Sequence, residues 1–248
     1  MNYLCFEMNV SGKITQQIKL IPTDTTFGYE QLLISKEEYM AAAKVMERLQ
    51  KKGLIKKISK GVFYKPKISV FGELRPNEQE ILKPYLFQDG KRVAYITGTY
   101  LYNQLGLTTQ LTTRIKIASR SKRIYVNTGA IKASPVKSYV DVTDGNYQLL
   151  GFLDAMKDLK IIPDVDSRSA IMIFSNRIKQ LTNKEIEEMT NYALVYPPRV
   201  RALLGAILEQ VNRTRGIKKL REKLNPLSHF NLGIKPDYLK SASNWNIQ

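Results

Sequence analysis

Hydrophobic residues in the segment 35–66 first recur at helical spacing and then alternate as they do in β-strands. The helical part repeats its apolar residues every three or four positions, so it forms one apolar face. Ser35 and Glu38 form the S-x-x-E capping box that starts a helix, and Gly53 stands where a left-handed residue would end it. Two short strands are predicted after the glycine, around a turn at Lys60 and Gly61. The apolar helix positions are Ala42, Val45, Met46 and Leu49.

Two shorter helices are predicted upstream of this segment. Ile14, Ile18 and Ile21 mark the apolar face of the first helix, and the second covers residues 29–33. Three helices followed by a basic hairpin are the elements of a winged helix-turn-helix. In that domain one helix enters the major groove and the hairpin follows the adjacent phosphates. We predict such a DNA-binding domain over residues 1–68.

The rest of the chain predicts a mixed α+β domain between two less regular segments. Proline and glycine interrupt the pattern over residues 69–90, which we interpret as a connector. Strands precede helices in residues 91–212, which favours an α+β fold class. Residues 213–248 form a basic C-terminal extension. The predicted strands are 93–96, 113–118, 123–127 and 138–142, and the predicted helices are 98–105, 148–159, one capped by Thr182 and Glu185, and 198–211.

The charge balance indicates the kind of partner. The chain has 248 residues with 39 Lys and Arg against 22 Asp and Glu, which gives a formal net charge of +17. An excess of this size indicates a polyanionic partner, most often nucleic acid. The single cysteine, Cys5, excludes an intrachain disulfide, and no apolar run approaches the ~20 residues that span a bilayer. We see no secretion signal, so we expect a cytoplasmic protein without a membrane partner.

The predicted winged helix offers nine candidate residues for contacts with duplex DNA. Residues near the start of the inserted helix usually reach base edges, whereas hairpin cations contact phosphates. The alternative is a solvated helix face beside an edge strand that lysines protect from aggregation. The helix candidates are Lys36, Met40, Lys44, Arg48 and Lys51, and the hairpin candidates are Lys56, Lys57, Lys60 and Lys65.

A second basic surface is predicted in residues 113–138, which contain seven cationic side chains and no acidic residue. Alternation along the predicted strand places Arg114 and Lys116 on one face. The surface is a candidate for binding DNA, RNA or an acidic protein, and the alternative is a solvated strand face. Its main candidates are Arg114, Lys116, Arg120, Lys122 and Arg123, followed by Lys132 and Lys137.

Catalytic candidates are few, and we predict no enzyme activity, no metal site and no cofactor. The only histidine, His229, lies in a segment rich in proline, asparagine and glycine. No cluster of Cys and His has the spacing of a zinc site, and no phosphate-binding loop motif occurs. One enzymatic alternative is that paired carboxylates bind magnesium for phosphoryl transfer. The carboxylates available for this are Asp141, Asp144, Asp154, Asp158, Asp164 and Asp166.

Two segments resemble families of bacterial regulators. The segment 48–66, RLQKKGLIKKISKGVFYKP, resembles the winged helix of AbiE-type antitoxins. The segment 95–119 resembles the hallmark of the related DUF6088 proteins, in which a helix ends in N-x-L-G-L-T-x-Q. The matching residues are Asn103, Leu105, Gly106, Leu107, Thr108 and Gln110.

This resemblance implies a transcriptional regulator of a type IV toxin–antitoxin system that acts in abortive infection, a form of phage defence. Such antitoxins repress their own operon by binding inverted repeats in the operator through the N-terminal domain. They counter a nucleotidyltransferase toxin through the C-terminal domain, often without a stable complex. Two alternatives stay open from the residues alone. One is an RNA-binding or nucleic-acid-processing protein, and the other is a ligand-sensing winged-helix regulator.

Overall fold

The computed structural model describes residues 9–70, 72–74, 76–128 and 131–248. The chain divides into two units, Met1–Gly90 with Asn127–Ala130 and Lys91–Val126 with Ile131–Gln248. Cys5 lies outside the described residues. Both units contain helices and small sheets, so the fold class is α+β.

The first unit begins with helices and a three-stranded antiparallel sheet in the order β1-β3-β2. The register pairs Phe27 of β1 with Phe63 of β3. A 3-10 turn at Tyr29–Leu32 separates the first strand from the second helix. The elements are α1 (Val10–Leu20), β1 (Thr26–Gly28), α2 (Tyr39–Lys51), β2 (Lys56–Ser59), β3 (Val62–Tyr64), β4 (Lys67–Ser69), β5 (Gly72–Leu74), α3 (Glu78–Leu86) and β6 (Phe87–Gln88).

The predicted capping box exists, but α2 begins after it. The Ser35 amide donates to the Glu38 carboxylate at 2.8 Å, and the Glu38 amide donates back to the Ser35 hydroxyl at 3.3 Å. Residues 36–38 form a turn, and the helix starts at Tyr39. Gly53 and Gly61 take the positive φ values of +70° and +76° that their predicted positions require. The predicted apolar faces of α1 and α2 pack together in one buried core with Phe27 and Ile55.

Residues 69–90, interpreted from the sequence as a connector, contain regular structure in the first unit. Strands β4 and β5 form an antiparallel hairpin, and α3 follows with its Asn77 side chain capping the Glu80 amide at 2.9 Å. The Thr26 hydroxyl of β1 donates to the Glu80 carbonyl of α3 at 2.7 Å. Ile81 and Leu82 are buried. The connector therefore contains a helix, α3, with one side packed.

The second unit consists of a four-stranded sheet and a group of helices. The strand order is β10-β11-β9-β8, in which β8 and β9 are antiparallel and β9 and β11 are parallel. A large core joins the sheet to the helices. The elements are β7 (Lys91–Arg92), β8 (Ala94–Thr97), α4 (Thr99–Gln104), β9 (Arg114–Ser119), β10 (Val126–Asn127), β11 (Lys132–Lys137), α5 (Tyr147–Asp158), α6 (Ser167–Gln180), α7 (Asn183–Ala193), α8 (Pro198–Gln210) and α9 (Ile217–Glu222).

The predicted strand over residues 138–142 is wrong, because these residues form irregular structure. The strand is β11, directly before them, and it contains Pro135 opposite Ile117 of β9. Proline removes a backbone donor and is tolerated mainly at sheet edges. The strand on the other side of β11 is β10, which has only two residues, so most of β11 behaves as an edge.

The basic C-terminal extension packs into the core of the second unit. Leu220, Leu239 and Trp245 are each less than 3% exposed. Arg213 donates to the Lys179 and Leu181 carbonyls at the end of α6, both at 2.9 Å. Part of the positive charge in this extension therefore stabilises the fold. None of the helices in the described ranges combines the length and apolar character that crossing a membrane requires.

Candidate nucleic-acid interfaces

One side of α2 is exposed and carries a row of side chains about one helical turn apart. Met40, Lys44, Arg48 and Lys51 follow one another at intervals of four, four and three residues. All four are exposed, while the opposite side of α2 is buried. Lys36 is also exposed, but it lies in the turn before α2 rather than on the helix. The structure thus brings together four of the five helix residues that the sequence predicted for DNA contact.

Two cations of this row have partners inside the first unit. Arg48 donates a hydrogen bond to the Ser11 hydroxyl of α1. Lys51 lies 2.9 Å from the Glu47 carboxylate, and their hydrogen bond raises the pKa of Lys51 and lowers the pKa of Glu47. Lys44 forms no ion pair with any carboxylate of the described residues. Lys44 is therefore available to an external anion.

Two of the four hairpin lysines, Lys56 and Lys65, have partners within the first unit, and three of the four are exposed. Lys57 and Lys60 are exposed on β2 and in the turn that follows it. Lys56 forms an ion pair with Glu73 at 2.5 Å. The Lys65 ammonium contacts three carbonyl oxygens at the C-terminal end of α1, at 3.0 to 3.5 Å. Because Lys56 and Lys65 already have these partners, we leave them out of the candidate phosphate contacts.

The Glu38 carboxylate before α2 is engaged with the protein. Besides its hydrogen bond from Ser35, it lies 3.6 Å from the Lys13 ammonium. The backbone hydrogen bond is the main cause that holds the pKa of Glu38 below its ordinary value, and Lys13 adds to it. Glu38 therefore has a capping role, which accounts for one of the two acidic residues next to Lys36.

The second predicted basic surface separates into two parts along β9. Arg114 opens the strand opposite Lys132 of β11, and the aliphatic part of Lys116 lies against Gly98. Arg120 follows the other end of the strand. At roughly 3.3 Å per residue, Arg114 and Arg120 are about 20 Å apart along the strand direction. The five residues predicted as one surface therefore belong to two separate regions.

A cleft of about 570 Å³ lies at the Arg120 end of β9. Four cationic side chains line it, and all four are exposed. No acidic residue lines the cleft. We call this region the β9 cleft, and its cations are Arg120, Lys122, Arg123 and Lys137.

Tyr125 lines the β9 cleft and was not selected from the sequence. Its side chain is 69% exposed, whereas its neighbours Ile124 and Val126 are 5% and 3% exposed. The two buried neighbours anchor the chain on both sides of Tyr125. This alternation of buried and exposed positions is visible in the sequence and identifies Tyr125 as an outward-facing aromatic residue.

Asp154 of α5 is 3% exposed and lies in a buried polar network. Its carboxylate accepts hydrogen bonds from the Tyr95 and Thr97 hydroxyls, both at 2.8 Å, and from the Tyr196 hydroxyl at 3.2 Å. Lys157 lies 3.6 Å away. Burial raises the pKa of Asp154, against the opposite effects of Lys157 and the hydrogen bonds. The network joins β8, α5 and the segment before α8.

Asp158 shares the Lys157 ammonium with Asp154, at 3.6 Å from each carboxylate, whereas the other four carboxylates of residues 141–166 have separate partners. Among the described residues, no group of three His, Cys, Asp or Glu side chains has the arrangement of a metal site. Asp158 accepts from Tyr102 at 2.7 Å, Asp141 lies 3.5 Å from Arg120, Asp144 lies 2.9 Å from Arg92, Asp164 accepts from Gln110 at 2.8 Å, and Asp166 caps Ser169 at 2.8 Å.

Comparison with known families places the chain in one of them. Residues 13–137 match DUF6088, which is described as a family of unknown function. The chain belongs to the DUF6088 family. Both segments that carried the sequence resemblance lie within the matched residues, so the DUF6088 part of that resemblance is confirmed.

This DUF6088 protein is similar to the crystal structure of the RV2827C protein from Mycobacterium tuberculosis. The similarity covers 91% of this chain and 85% of that chain, with a TM-score of 0.53 and 11% sequence identity. At this identity the likeness concerns the fold alone. No curated protein matches the chain.

The family motif at residues 103–110 closes the end of α4 in this DUF6088 protein. Gly106 takes a φ of +76°, and Leu107 and Thr108 are buried. The Asn103 side chain donates to the Thr108 carbonyl at 3.1 Å, and the Gln110 amide donates to the Thr108 hydroxyl at 3.1 Å. These contacts give the motif a structural role as a helix-ending loop.

Proposed function

We propose that this DUF6088 protein binds duplex DNA through a winged helix-turn-helix in its first unit. The observation that carries the proposal is the exposed row Met40, Lys44, Arg48 and Lys51 on α2, followed directly by Lys57 and Lys60 on the β2-β3 hairpin. A helix and a basic hairpin in this order match a helix in the major groove and a hairpin on the adjacent backbone.

The order of elements in the first unit supports this proposal. It runs α1, β1, a 3-10 turn, α2, β2 and β3, and the first strand pairs with the third. This is the order expected of a winged helix-turn-helix. The net charge of +17 supports a polyanionic ligand.

We assign different roles to the helix and the hairpin within this proposal. Lys44 lies on the exposed side of α2, as the sixth of its 13 residues, without an ion pair in the described residues, so it is the candidate for a base-edge contact. Lys57 and Lys60 are the candidates for phosphate contacts. A base contact discriminates between sequences, whereas a phosphate contact supplies affinity that does not depend on sequence.

The experiment is a binding titration of the full-length protein on the DNA immediately upstream of its own coding sequence. Fluorescence anisotropy is measured over a range of salt concentrations. If about six phosphates are contacted, the logarithm of the affinity falls with the logarithm of salt concentration with a slope near −5. Binding that does not change between low and physiological salt contradicts the proposal.

The resemblance to AbiE-type antitoxins extends the proposal to a regulatory role. In this extension the protein represses its own operon through the first unit and counters a nucleotidyltransferase toxin through the second. The extension rests on the winged-helix resemblance of residues 48–66, and it is separate from the DNA-binding proposal.

The antitoxin role is tested by measuring the growth of bacteria that express a nucleotidyltransferase gene adjacent to the gene for this protein. Co-expression of this protein restores growth if the proposal is correct. The Lys44→Ala variant restores growth as well, because its substitution affects operator binding in the first unit. Growth arrest that persists with the wild-type protein contradicts the antitoxin role. It does not bear on the DNA-binding proposal, which the anisotropy titration tests.

A further inference from the structure

All residues that line the β9 cleft belong to the second unit, whereas the proposed duplex-DNA site belongs to the first. Its volume of about 570 Å³ falls within the range of about 300–1,000 Å³ that is typical of small-ligand pockets. It lies where β9 and β11 end side by side, with Ser119 opposite Lys137 in the parallel register. Its base is therefore formed by ordered strands.

The cations of the β9 cleft provide a concentrated positive field. Four of them line the cleft without an acidic residue among the lining side chains. The nearest ion pair joins Arg120 to Asp141 at 3.5 Å, and the Asp141 side chain is 86% exposed. Arg120 also donates a hydrogen bond to the Tyr139 carbonyl. Solvent weakens the exposed Arg120–Asp141 pair, and no acidic residue lines the cleft, so the cleft is positive and attracts phosphate groups.

Tyr125 adds an aromatic surface to this positive field. Tyr125 is 69% exposed and lines the cleft with the two arginines, although an exposed aromatic residue gains nothing from packing in the core. The buried Ile124 and Val126 hold its backbone, so little conformational freedom is lost when a planar group stacks on the ring. An exposed aromatic residue within a cationic groove is the combination that proteins use to bind single-stranded nucleic acids, since cations follow the backbone and bases stack on the ring.

We propose that the β9 cleft binds single-stranded nucleic acid. Arg120, Lys122, Arg123 and Lys137 contact successive phosphates, and Tyr125 stacks on one base. Single strands fit better than duplex, because the faces of paired bases are covered by their neighbours and are closed to Tyr125. The proposal does not depend on duplex binding by the first unit.

The test uses the full-length protein and fluorescence anisotropy with four labelled probes. The probes are a 12-nucleotide oligouridylate, a 12-nucleotide oligothymidylate, a 12-unit abasic phosphodiester and a 12-base-pair duplex. Unlabelled uridine monophosphate serves as a competitor. The abasic probe carries the same phosphates without bases, so it separates stacking from electrostatic attraction.

Three variants and one control isolate the cleft. Tyr125→Ala removes the ring, Tyr125→Trp keeps a stacking surface, and Arg123→Ala with Lys137→Ala removes two cations. The control is Lys184→Ala with Lys218→Ala, which also removes two charges, at side chains that are 86% and 92% exposed on other helices. All these side chains are exposed, and thermal unfolding verifies that each variant folds.

We expect Tyr125→Ala to weaken binding of the two base-containing single strands about tenfold, with wild-type affinity for the abasic probe. Tyr125→Trp restores the lost affinity. The Arg123 and Lys137 double substitution weakens binding of all three single-stranded probes about tenfold or more, and the control changes it less than twofold.

Several results overturn the proposal. They are equal losses on abasic and base-containing probes in Tyr125→Ala, equal losses in the control and cleft double variants, and the same loss on the short duplex as on the single strands in the cleft double variant. Competition by uridine monophosphate at the same concentration as the oligonucleotide identifies a free-nucleotide pocket and also overturns it. Tyr125→Ala is measured in parallel on the upstream duplex. Failure of single-strand binding with intact duplex binding rejects only the cleft, and the reverse result rejects only the first-unit proposal.

Discussion

The indole ring of Trp245 packs directly onto Gly205 of α8. A Cβ atom built at Gly205 would lie 2.2 Å from two carbon atoms of that ring, which is far inside van der Waals contact. The Trp245 Nε1 donates to the Glu209 carboxylate at 2.8 Å, one turn further along α8, and the Arg221 guanidinium lies 4.8 Å from the indole. These contacts fix the C-terminal extension to the central helix of the second unit.

The Gly205→Ala substitution should destabilise the protein, because the added methyl group requires either the helix or the ring to move. Overpacking of this kind costs about 1–3 kcal/mol. The free energy of unfolding measures the effect, and Trp245 reports it directly, since it is the only tryptophan. The displaced indole should emit at longer wavelength. Gly145→Ala is the control, since its nearest atom is 3.9 Å from the new Cβ, and a similar loss there would contradict the packing argument.

Asp154 should make stability depend on pH in a defined direction. Burial raises its folded-state pKa above the ordinary value of 3.8, so the folded protein binds the proton more tightly than the unfolded chain. This contribution is fully present below pH 3.8 and is lost as pH rises through the folded-state pKa. The Asp154→Asn variant has no titratable group at this position, so it serves as the reference.

Thermal unfolding of the wild-type protein and the Asp154→Asn variant between pH 4 and pH 8 tests this prediction. The stability of the wild type relative to the variant should decline as pH rises. A relative stability that increases with pH would show that the hydrogen bonds from Tyr95 and Thr97, together with Lys157, outweigh burial. A constant difference would show that Asp154 has the same pKa in both states.

Removal of α3 should destabilise the first unit. Without α3, the Thr26 hydroxyl of β1 has no Glu80 carbonyl to donate to, and the buried side chains of Ile81 and Leu82 are missing. A fragment that ends at Gly90 should therefore unfold cooperatively, and at higher temperature than a fragment that ends at Lys67. Circular dichroism during heating compares them. Equal unfolding temperatures would show that the packing of α3 adds nothing to this unit.

The sequence correctly predicted those elements in which the local residue pattern alone determines the structure. Three predicted features depend only on residues close together in the sequence, and the structure contains all of them. They are the capping box at Ser35, the buried face of α2 at Val45 and Leu49, and the positive φ values of Gly53 and Gly61. The helix α6 was missed although Ala170, Ile171, Phe174 and Ile178 recur at helical spacing. Its start depends on Asp166, which was considered only as a possible metal ligand.

Other features depend on contacts that are distant in sequence, so local patterns did not predict them. The last strand was predicted at residues 138–142, but the strand that pairs in parallel with β9 is Lys132–Lys137. The roles of Lys56 and Lys65 depend on Glu73 and on the end of α1, and neither partner is indicated by the lysines themselves. The β9 cleft likewise forms because Lys137 pairs beside Ser119.

Lys57→Ala should weaken duplex binding without a change in sequence preference. The residue is exposed on β2 and is assigned to a phosphate, so its loss should reduce affinity for upstream and scrambled duplexes by the same factor. The slope of log affinity against log salt should become shallower by about 1. Lys52→Ala, an exposed lysine between α2 and the hairpin without an assigned contact, is the matched control. An unchanged slope in Lys57→Ala would remove this lysine from the interface.

The ratio of affinities for the upstream duplex and a scrambled duplex, measured for the wild type and the Lys44→Ala variant, tests the proposed DNA interface most directly. If α2 lies in the major groove with Lys44 at a base edge, the substitution should cost about 1–3 kcal/mol on the upstream duplex and little on the scrambled one, so the ratio falls about 5- to 150-fold. Equal losses on both duplexes, or no loss on either, would show that this face of α2 does not recognise bases.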